Sequence, residues 1–472
     1  MLSHPLEEIL HPGSIAVVGA SPSGRGGGFV TPLIDQGFKG PIYPINPKYD
    51  EIHGFKAYGR VTDIPGSVDY VISSIPATAI LDLMDDCVAK KVKCVHLFTA
   101  RFSETGRKDA ADLEKELLRR AHAGNVRLIG PNCMGVYHPK QGMAFNENMP
   151  KQSGPVGLVS QSGQVVGEIV ARSAARRIYF SKAISYGNAL DFNECDYLEY
   201  FAQDPETKIV LMYVEGLRDG QRFTKLLKET TAKKPVIILK GGRGKAGTRA
   251  TASHTASMAG SRLLWESMIR QCGAVSVADI DELIDVAACF ERIPKIAGRR
   301  TAVAGGSGGS SVQAADQCEE AGLDIIDLPR DIRETLKAEG SPIWDWINNP
   351  ADFSIAMGEE EAALRIMKLM AEHPDFDLFI LFAMPPWRQT KDTFDLDQAM
   401  QRYHPVVSSK PAVVVYQDWP RNMTPDKAWF DDVSEQIKAK FHEMGLPVYS
   451  SVIQAARAAV KVVDYWERRN LS

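Results

Sequence analysis

Residues 14–28 read SIAVVGASPSGRGGG, and this stretch decides the fold. A short β-favouring run breaks at Gly19 into small, turn-forming residues, the way a strand hands over to a helix in a βαβ unit. Such a junction offers free backbone N–H groups and the positive end of a helix dipole to an anion. It is not the dinucleotide fingerprint G-x-G-x-x-G: counting from Gly19, the second glycine position holds Ser21, and only Gly24 fits the third. The next strand, PIYPINPK (41–48), ends in Asn46, Pro47 and Lys48, where an NAD-binding chain would place Asp or Glu. A lysine attracts a ribose phosphate, which leaves NADP and the 3′-phosphate of coenzyme A both open.

The same rhythm extends outward. VDYVISSIP, CVHLFTA and VRLIGPN complete five strand candidates before residue 135, separated by amphipathic stretches such as TAILDLMDDCVAKK and AADLEKELLRRAHA. Strand–helix alternation of this kind predicts an α/β fold built on parallel sheets. The polar, Pro/Gly-punctuated run PKQGMAFNENMPKQSGP (139–155) reads as a connection between domains. A second series follows (VGLVSQSG, SKAISYG, KIVLMYVEG, PVIILKGG). A third begins after KIAGRR with TAVAGGSGG, LDIIDLP, DLFILFAMPP, PAVVVYQD and LPVYSS. The expected domains are 1–140, 141–297 and 298–472.

Composition narrows the function classes. A formal net charge of −4 gives no electrostatic case for nucleic acid or an anionic membrane. The longest wholly apolar run, LFILFAM (378–384), is far short of the ~20 residues that a membrane span requires. Seven scattered cysteines, with no C-x-x-C pair and no Cys/His cluster at ligand spacing, predict a reducing, cytoplasmic setting without a metal site.

Three places carry candidate chemistry. In GLVSQSGQVVGEIV (157–170), Ser160 or Ser162 is a natural helix N-cap, and Gly163 lets the backbone approach an oxyanion. In YVEGLRDG (213–220), Glu215 stands at the carboxyl end of a strand, where α/β sheets put working residues. In GTRATASHTASMAG (247–260), eight of fourteen residues are Gly, Ala or Ser, so the segment cannot anchor itself in a core, yet it carries His254. Hydroxyls of Ser253, Thr255 and Ser257 can bind phosphate oxygens without adding charge. This composition suits an imidazole nucleophile that accepts a group at one place and delivers it at another. A carboxylate taking the N–H of one ring nitrogen would leave the other nucleophilic, a role Glu215 can fill. The third turn, GGSGGSS (305–311), has no partner residue to distinguish it.

Taken together, these pieces resemble the α subunits of ADP-forming acetyl-CoA synthetases, nucleoside-diphosphate-forming acyl-CoA ligases related to the succinyl-CoA synthetase α subunit. The resemblance covers nearly the whole chain. It rests on GAS (19–21) with NPK (46–48), IPAT (75–78), FTARFSETG (98–106), GPNCMG (130–135), SQSG (160–163), VEG (214–216) and above all SHTASMAG (253–260). The family's motif usually reads S-H-T-G-S-L-A-G, against which Ala256 and Met258 are mild departures. Arg101 is a larger one, standing where F-S-A-G-F has glycine.

The resemblance implies an N-terminal Rossmann-like CoA-binding domain followed by two flavodoxin-like domains. It places Gly19, Ala20, Ser21, Lys48, Pro76, Ala77, Thr99 and Ala100 at coenzyme A, and Arg101, Phe102, Asn132 and Cys133 near the thioester and acyl group. Ser160, Gln161, Ser162 and Gly163 would hold phosphate, Glu215 would steady phosphohistidine, and His254 would be phosphorylated. The implied reaction interconverts acyl-CoA, ADP and phosphate with a carboxylic acid, CoA and ATP. The nucleotide and its Mg2+ are expected on an ATP-grasp β subunit, a separate chain in an α2β2-type heteromer, because no segment of this sequence reads as that domain. Arg101, if it faces the pocket, favours an acid with a second anionic group. An NADP-dependent oxidoreductase and a non-catalytic CoA-binding regulatory protein are the competing readings.

Overall fold

A computed structural model of the chain describes residues 4–22, 28–247, 262–293, 295–353, 360–383, 391–417 and 426–470. The chain divides into two compact units, Met1–Ile284 and Asp285–Ser472.

Among the described residues, the first unit holds two large sheets and a two-stranded one. In the first sheet, β1 (Ile15–Val18), β2 (Ile42–Ile45), β5 (Tyr70–Ser73), β6 (Cys94–Leu97) and β7 (Arg127–Ile129) stand in the order β2-β1-β5-β6-β7. All pairs are parallel, with Ile15 opposite both Ile42 and Tyr70. Between β2 and β5 a small hairpin intervenes, β3 (Glu51–Ile52) with β4 (Phe55–Lys56). Each strand is almost wholly apolar because helices cover both faces of a parallel sheet. Val71, Val95 and Leu128 pack with Leu83, Met84 and Leu117, which come from the helices Ile80–Lys90 and Lys108–Ala123.

The second sheet is built from β8 (Gly135–Tyr137), β9 (Val156–Ser160), β10 (Phe180–Ser185), β11 (Ile209–Val214), β12 (Val236–Lys240) and β13 (Val275–Val277). Its order is β13-β12-β11-β9-β10-β8, parallel except for β8. The second unit carries a third parallel sheet, β14 (Thr301–Ala304), β15 (Leu378–Ala383), β16 (Ala412–Tyr416) and β17 (Val448–Tyr449), in sequential order. Its core draws Phe379, Leu381 and Val414 against Ile437 and Phe441.

The run 139–155, which passes from β8 to β9, is packed: Met143, Ala144, Phe145 and Met149 are buried, and the Tyr137 hydroxyl donates to the Pro150 carbonyl at 2.5 Å. One sequence expectation needs correction. LDIIDLP forms no strand; it makes one bridge, Arg300 with Asp324, and then runs as irregular chain. Among the described residues, no helix is long and apolar enough to cross a membrane.

Candidate functional site

Parallel strands deliver their carboxyl ends to one edge of a sheet, and in the first unit the two parallel series open onto a common cavity of about 920 Å3. That volume lies in the range of small-molecule and cofactor sites. The first sheet contributes the residues after β5, including Pro76 and Ala77, and those after β6: Phe98, Thr99, Ala100 and Arg101. Asn132, Cys133 and Met134 follow from the crossing to the second sheet. That sheet supplies Gln161, Ser162, Gly163 and Gln164 after β9, Gly187 and Asn188 after β10, and Glu215 after β11.

The phosphate-type end is built around a helix start. Ser162 caps the helix Gly163–Ala175, its oxygen facing the Val165 N–H at 3.5 Å. The first N–H groups of a helix have no carbonyl within it, so the cap leaves donors and a positive dipole end at the cavity. Gln161 is held in one orientation: its Oε1 accepts the N–H of Glu215 at 2.8 Å and of Gly216 at 3.2 Å. With the oxygen so engaged, the amide NH2 is the end left for a ligand. Ser160 lies behind this turn, fully buried, and its hydroxyl donates to the Ser162 carbonyl at 2.7 Å. The Glu215 carboxylate receives a hydrogen bond from the Tyr213 hydroxyl at 3.2 Å.

The opposite wall is shaped by backbone. Asn132, at φ +59°, donates its N–H to the Thr99 carbonyl at 2.9 Å, while the Thr99 hydroxyl donates to Ile75 at 2.6 Å. Asn132 Nδ2 reaches Asn188 Oδ1 at 3.4 Å, and Asn188 Nδ2 reaches Glu104 Oε2 at 2.6 Å. Glu104 also accepts the N–H groups of Arg101 and Phe102, so one carboxylate ties the β6 loop to the β10 loop. Gly187 has to be glycine here, since a Cβ would stand 2.2 Å from the Pro131 carbonyl oxygen.

Cys133 is 3% exposed, and burial pushes its thiol well above the ordinary range, so it stays protonated and is no nucleophile. Behind it His96 Nε2 lies 3.2 Å from the Cys133 carbonyl, and burial lowers that imidazole to about 4. It is therefore neutral.

The structure does not bring every expected residue to the cavity wall. Phe102 is 0% exposed and belongs to the first sheet's core, turned inward after the positive φ of Arg101 breaks the extended run beyond β6. Gly19, Ala20, Ser21 and Lys48 sit at the ends of β1 and β2, outside the cavity lining. They form one connected turn all the same: Asn46 Nδ2 donates to the Ala20 carbonyl at 2.8 Å, and the Lys48 N–H to Asn46 Oδ1 at 3.0 Å. Gly19, at φ +86°, leaves no room for a Cβ, which would stand 2.7 Å from Ser74 Oγ, and Ser74 does line the cavity. His254 and its neighbours 248–261 lie outside the described residues. Sequence reasoning missed Glu104 and Asn188. Glu104 stands inside the quoted FTARFSETG motif, and Asn188 follows a strand end, the signal that singled out Glu215.

A cavity at the carboxyl ends of the parallel strands of two sheets, with a helix start and a carboxylate at one end, is the small-molecule site of an α/β protein. Residues 13–139 match the family described as CoA binding domain, and residues 153–290 the succinyl-CoA ligase like flavodoxin domain. The chain is 34% identical over 462 residues to the acetate–CoA ligase [ADP-forming] II subunit alpha of Pyrococcus furiosus, covering 97% of each. It is 36% identical over 351 residues to the acetate–CoA ligase [ADP-forming] of Methanocaldococcus jannaschii, of whose length it spans about half, 49%. The fold superposes on an acetyl-coenzyme A synthetase of Ca. Korarchaeum cryptofilum, solved with phosphate and ADP, with a TM-score of 0.81 and 29% identity over 98% of this chain and 97% of that one. The chain belongs to the family of the α subunits of ADP-forming acetate–CoA ligases.

Proposed function

We propose that this chain is the CoA-binding, phosphohistidine-carrying subunit of an acid–CoA ligase of the nucleoside-diphosphate-forming type. The observation that carries the reading is that one cavity spans both ends of the chemistry. It joins the ends of β5 and β6, suited to the pantetheine arm, to the SQSG helix start and Glu215, suited to phosphate. A thioester and a phosphate held there are within reach of each other.

The chemistry follows in three displacements. A phosphate oxygen attacks the thioester carbonyl carbon, the C–S bond breaks, and CoA leaves as the thiolate, giving an acyl phosphate. An imidazole nitrogen of His254 attacks phosphorus, the acyl oxygen–phosphorus bond breaks, and the carboxylate leaves. A terminal oxygen of ADP then takes the phosphoryl group and the imidazole is restored. The helix start and the Gln161 amide stabilise charge on the transferring oxygens, and Glu215 orients the imidazole. Pro76, Ala77, Thr99 and Ala100 offer the thiol arm a narrow wall, with the Gly19–Ser21 turn and Lys48 beyond Ser74 for its nucleotide end.

The nucleotide and its Mg2+ belong on an ATP-grasp β subunit, a separate chain, in an α2β2-type assembly. The near-complete match to a relative named as a subunit alpha supports this arrangement. The domain limits that go with it are 1–140, 141–297 and 298–472, and the substrate is a small carboxylic acid. The test is direct. The chain, purified with its nucleotide-binding partner and given ATP labelled in the γ-phosphate, acquires an acid-labile phosphate that His254→Ala lacks. Equal labelling of the two proteins would overturn the reading.

A further inference from the structure

We infer that Lys240 is a positioning residue for Glu215, its ammonium clamping the two strand ends from which the carboxylate and the histidine-bearing segment depart. The inference rests on the phosphohistidine reading. Lys240 is the last residue of β12, and the register sets it beside Val214, the residue before Glu215. It is 8% exposed and does not line the cavity, so it acts through its neighbours. Its Nζ donates to the main-chain carbonyl of Glu215 at 2.7 Å and to that of Gly241. On another side it lies 5.6 Å from the centre of the Trp265 ring, carried by the helix Arg262–Gln271 that follows the His254 segment in the chain.

A buried ammonium is costly, and a methionine of similar volume would fill the same space without that cost. Two strand-end carbonyls take two of its three donors, and the Trp265 ring stands on the remaining side. The cation makes sense once a phosphoryl group arrives. Strand-end carbonyls and the Glu215 carboxylate form a negative edge, and a phosphoryl group adds between one and two further charges there. Lys240 draws two of those carbonyl oxygens to itself and fixes the backbone on which Glu215 stands. Burial lowers its pKa and the Glu215 charge opposes that shift. Among the described residues, the groups facing it are Glu215 from β11, with Tyr213 hydrogen-bonded to that carboxylate, the Gly241 carbonyl, and Trp265 from the helix.

The test uses the full-length chain with its co-purified partner, acetyl phosphate labelled at phosphorus as the probe, and three proteins: wild type, Lys240→Met and Lys240→Arg. In this half-reaction the His254 nitrogen bonds phosphorus and acetate departs with the acyl oxygen. The rate of acid-labile labelling is followed from about pH 6 to pH 10, up to the ordinary lysine range. In the wild type the rate falls on the alkaline side before the ordinary lysine range, as Lys240 loses its proton. Lys240→Met labels roughly tenfold slower or worse and shows no such limb. Lys240→Arg, which keeps its charge across this range, recovers most of the rate and loses the limb. CoA binding, read by calorimetry, stays equal in all three. A methionine variant with the wild-type rate and pH profile overturns the inference. Should that variant fail to fold, an arginine variant with an unmoved alkaline limb does the same. Absence of label in the wild type is a different result, which strikes the phosphohistidine reading and takes this inference with it.

Discussion

Two junctions of this chain read alike and are built differently. SQSG, between β9 and the helix Gly163–Ala175, and GGSGGSS, between β14 and the helix Gly308–Ala321, each run from an apolar strand through small residues into a helix start. The second is closed mainly by its own serines, with an outside bond from the Phe353 N–H to the Gly306 carbonyl at 2.9 Å. The Ser307 N–H donates to Ser310 Oγ at 2.8 Å, and the Ser310 hydroxyl donates back to the Ser307 carbonyl at 2.8 Å. In the first, the Gln161 N–H bonds the Tyr213 carbonyl at 3.0 Å while its side chain takes the N–H groups of Glu215 and Gly216. That junction is stitched to the neighbouring strand, and that strand ends in a carboxylate. A helix start alone is generic; the residue that the adjacent strand delivers beside it is what distinguishes a site.

The largest effect expected from this contrast is at Glu215. Glu215→Gln keeps the shape and the backbone bonds but removes the charge that would orient and activate His254. Phosphorylation from ATP in the partnered protein should fall about 100-fold or more, with CoA affinity unchanged. A fall of less than about threefold would put the working carboxylate elsewhere.

A matched pair of substitutions sharpens the comparison. Gln161→Ala removes both the stitch to β11 and the amide donor, so labelling should drop about tenfold, the scale of one lost charge-assisted bond. Ser310→Ala breaks the serine pairing of the other turn. It should leave labelling untouched and cost about 0.5–1 kcal/mol in urea unfolding, the usual worth of a cap. Equal loss of labelling at both junctions would erase the distinction between them.

How far the sequence could see follows from the same physics. Buried parallel strands are written as continuous apolar runs, so β1, β2, β5, β6 and β7, and likewise β9 to β12, were legible before any coordinates. β8 and β13 were not: three residues show no period of their own, and β7, equally short, was marked out only by the strand–helix alternation that it completes. The site was legible where strand ends carry motifs, as at Glu215 and Gln161. It was hidden where residues serve through hydrogen bonds across the fold. Glu104 looks like an ordinary turn acid until Asn188, 84 residues away, is seen to donate to it. Phe102 shows the converse, a motif residue that the backbone turns into the core.

Arg101 gives the smallest expected effect and the subtlest use of the contrast. Its φ is +79°, in the left-handed region that favours glycine, and its N–H is held there by Glu104. A side chain in that region costs about 1–2 kcal/mol, against a smaller gain from a less flexible unfolded chain. Arg101→Gly should therefore stabilise the protein by about 0.5–1 kcal/mol, read as a higher urea midpoint. Strain kept where glycine would relieve it points to a use for the side chain of Arg101, a residue that lines the cavity. If that use is a second anionic group on the acid, the ratio of kcat/KM for succinate over acetate should fall about fivefold in the glycine variant, the worth of one exposed ion pair. A more stable variant with an unchanged ratio would leave the arginine without a part in choosing the acid, and a less stable one would mean that its side chain holds the β6 loop together.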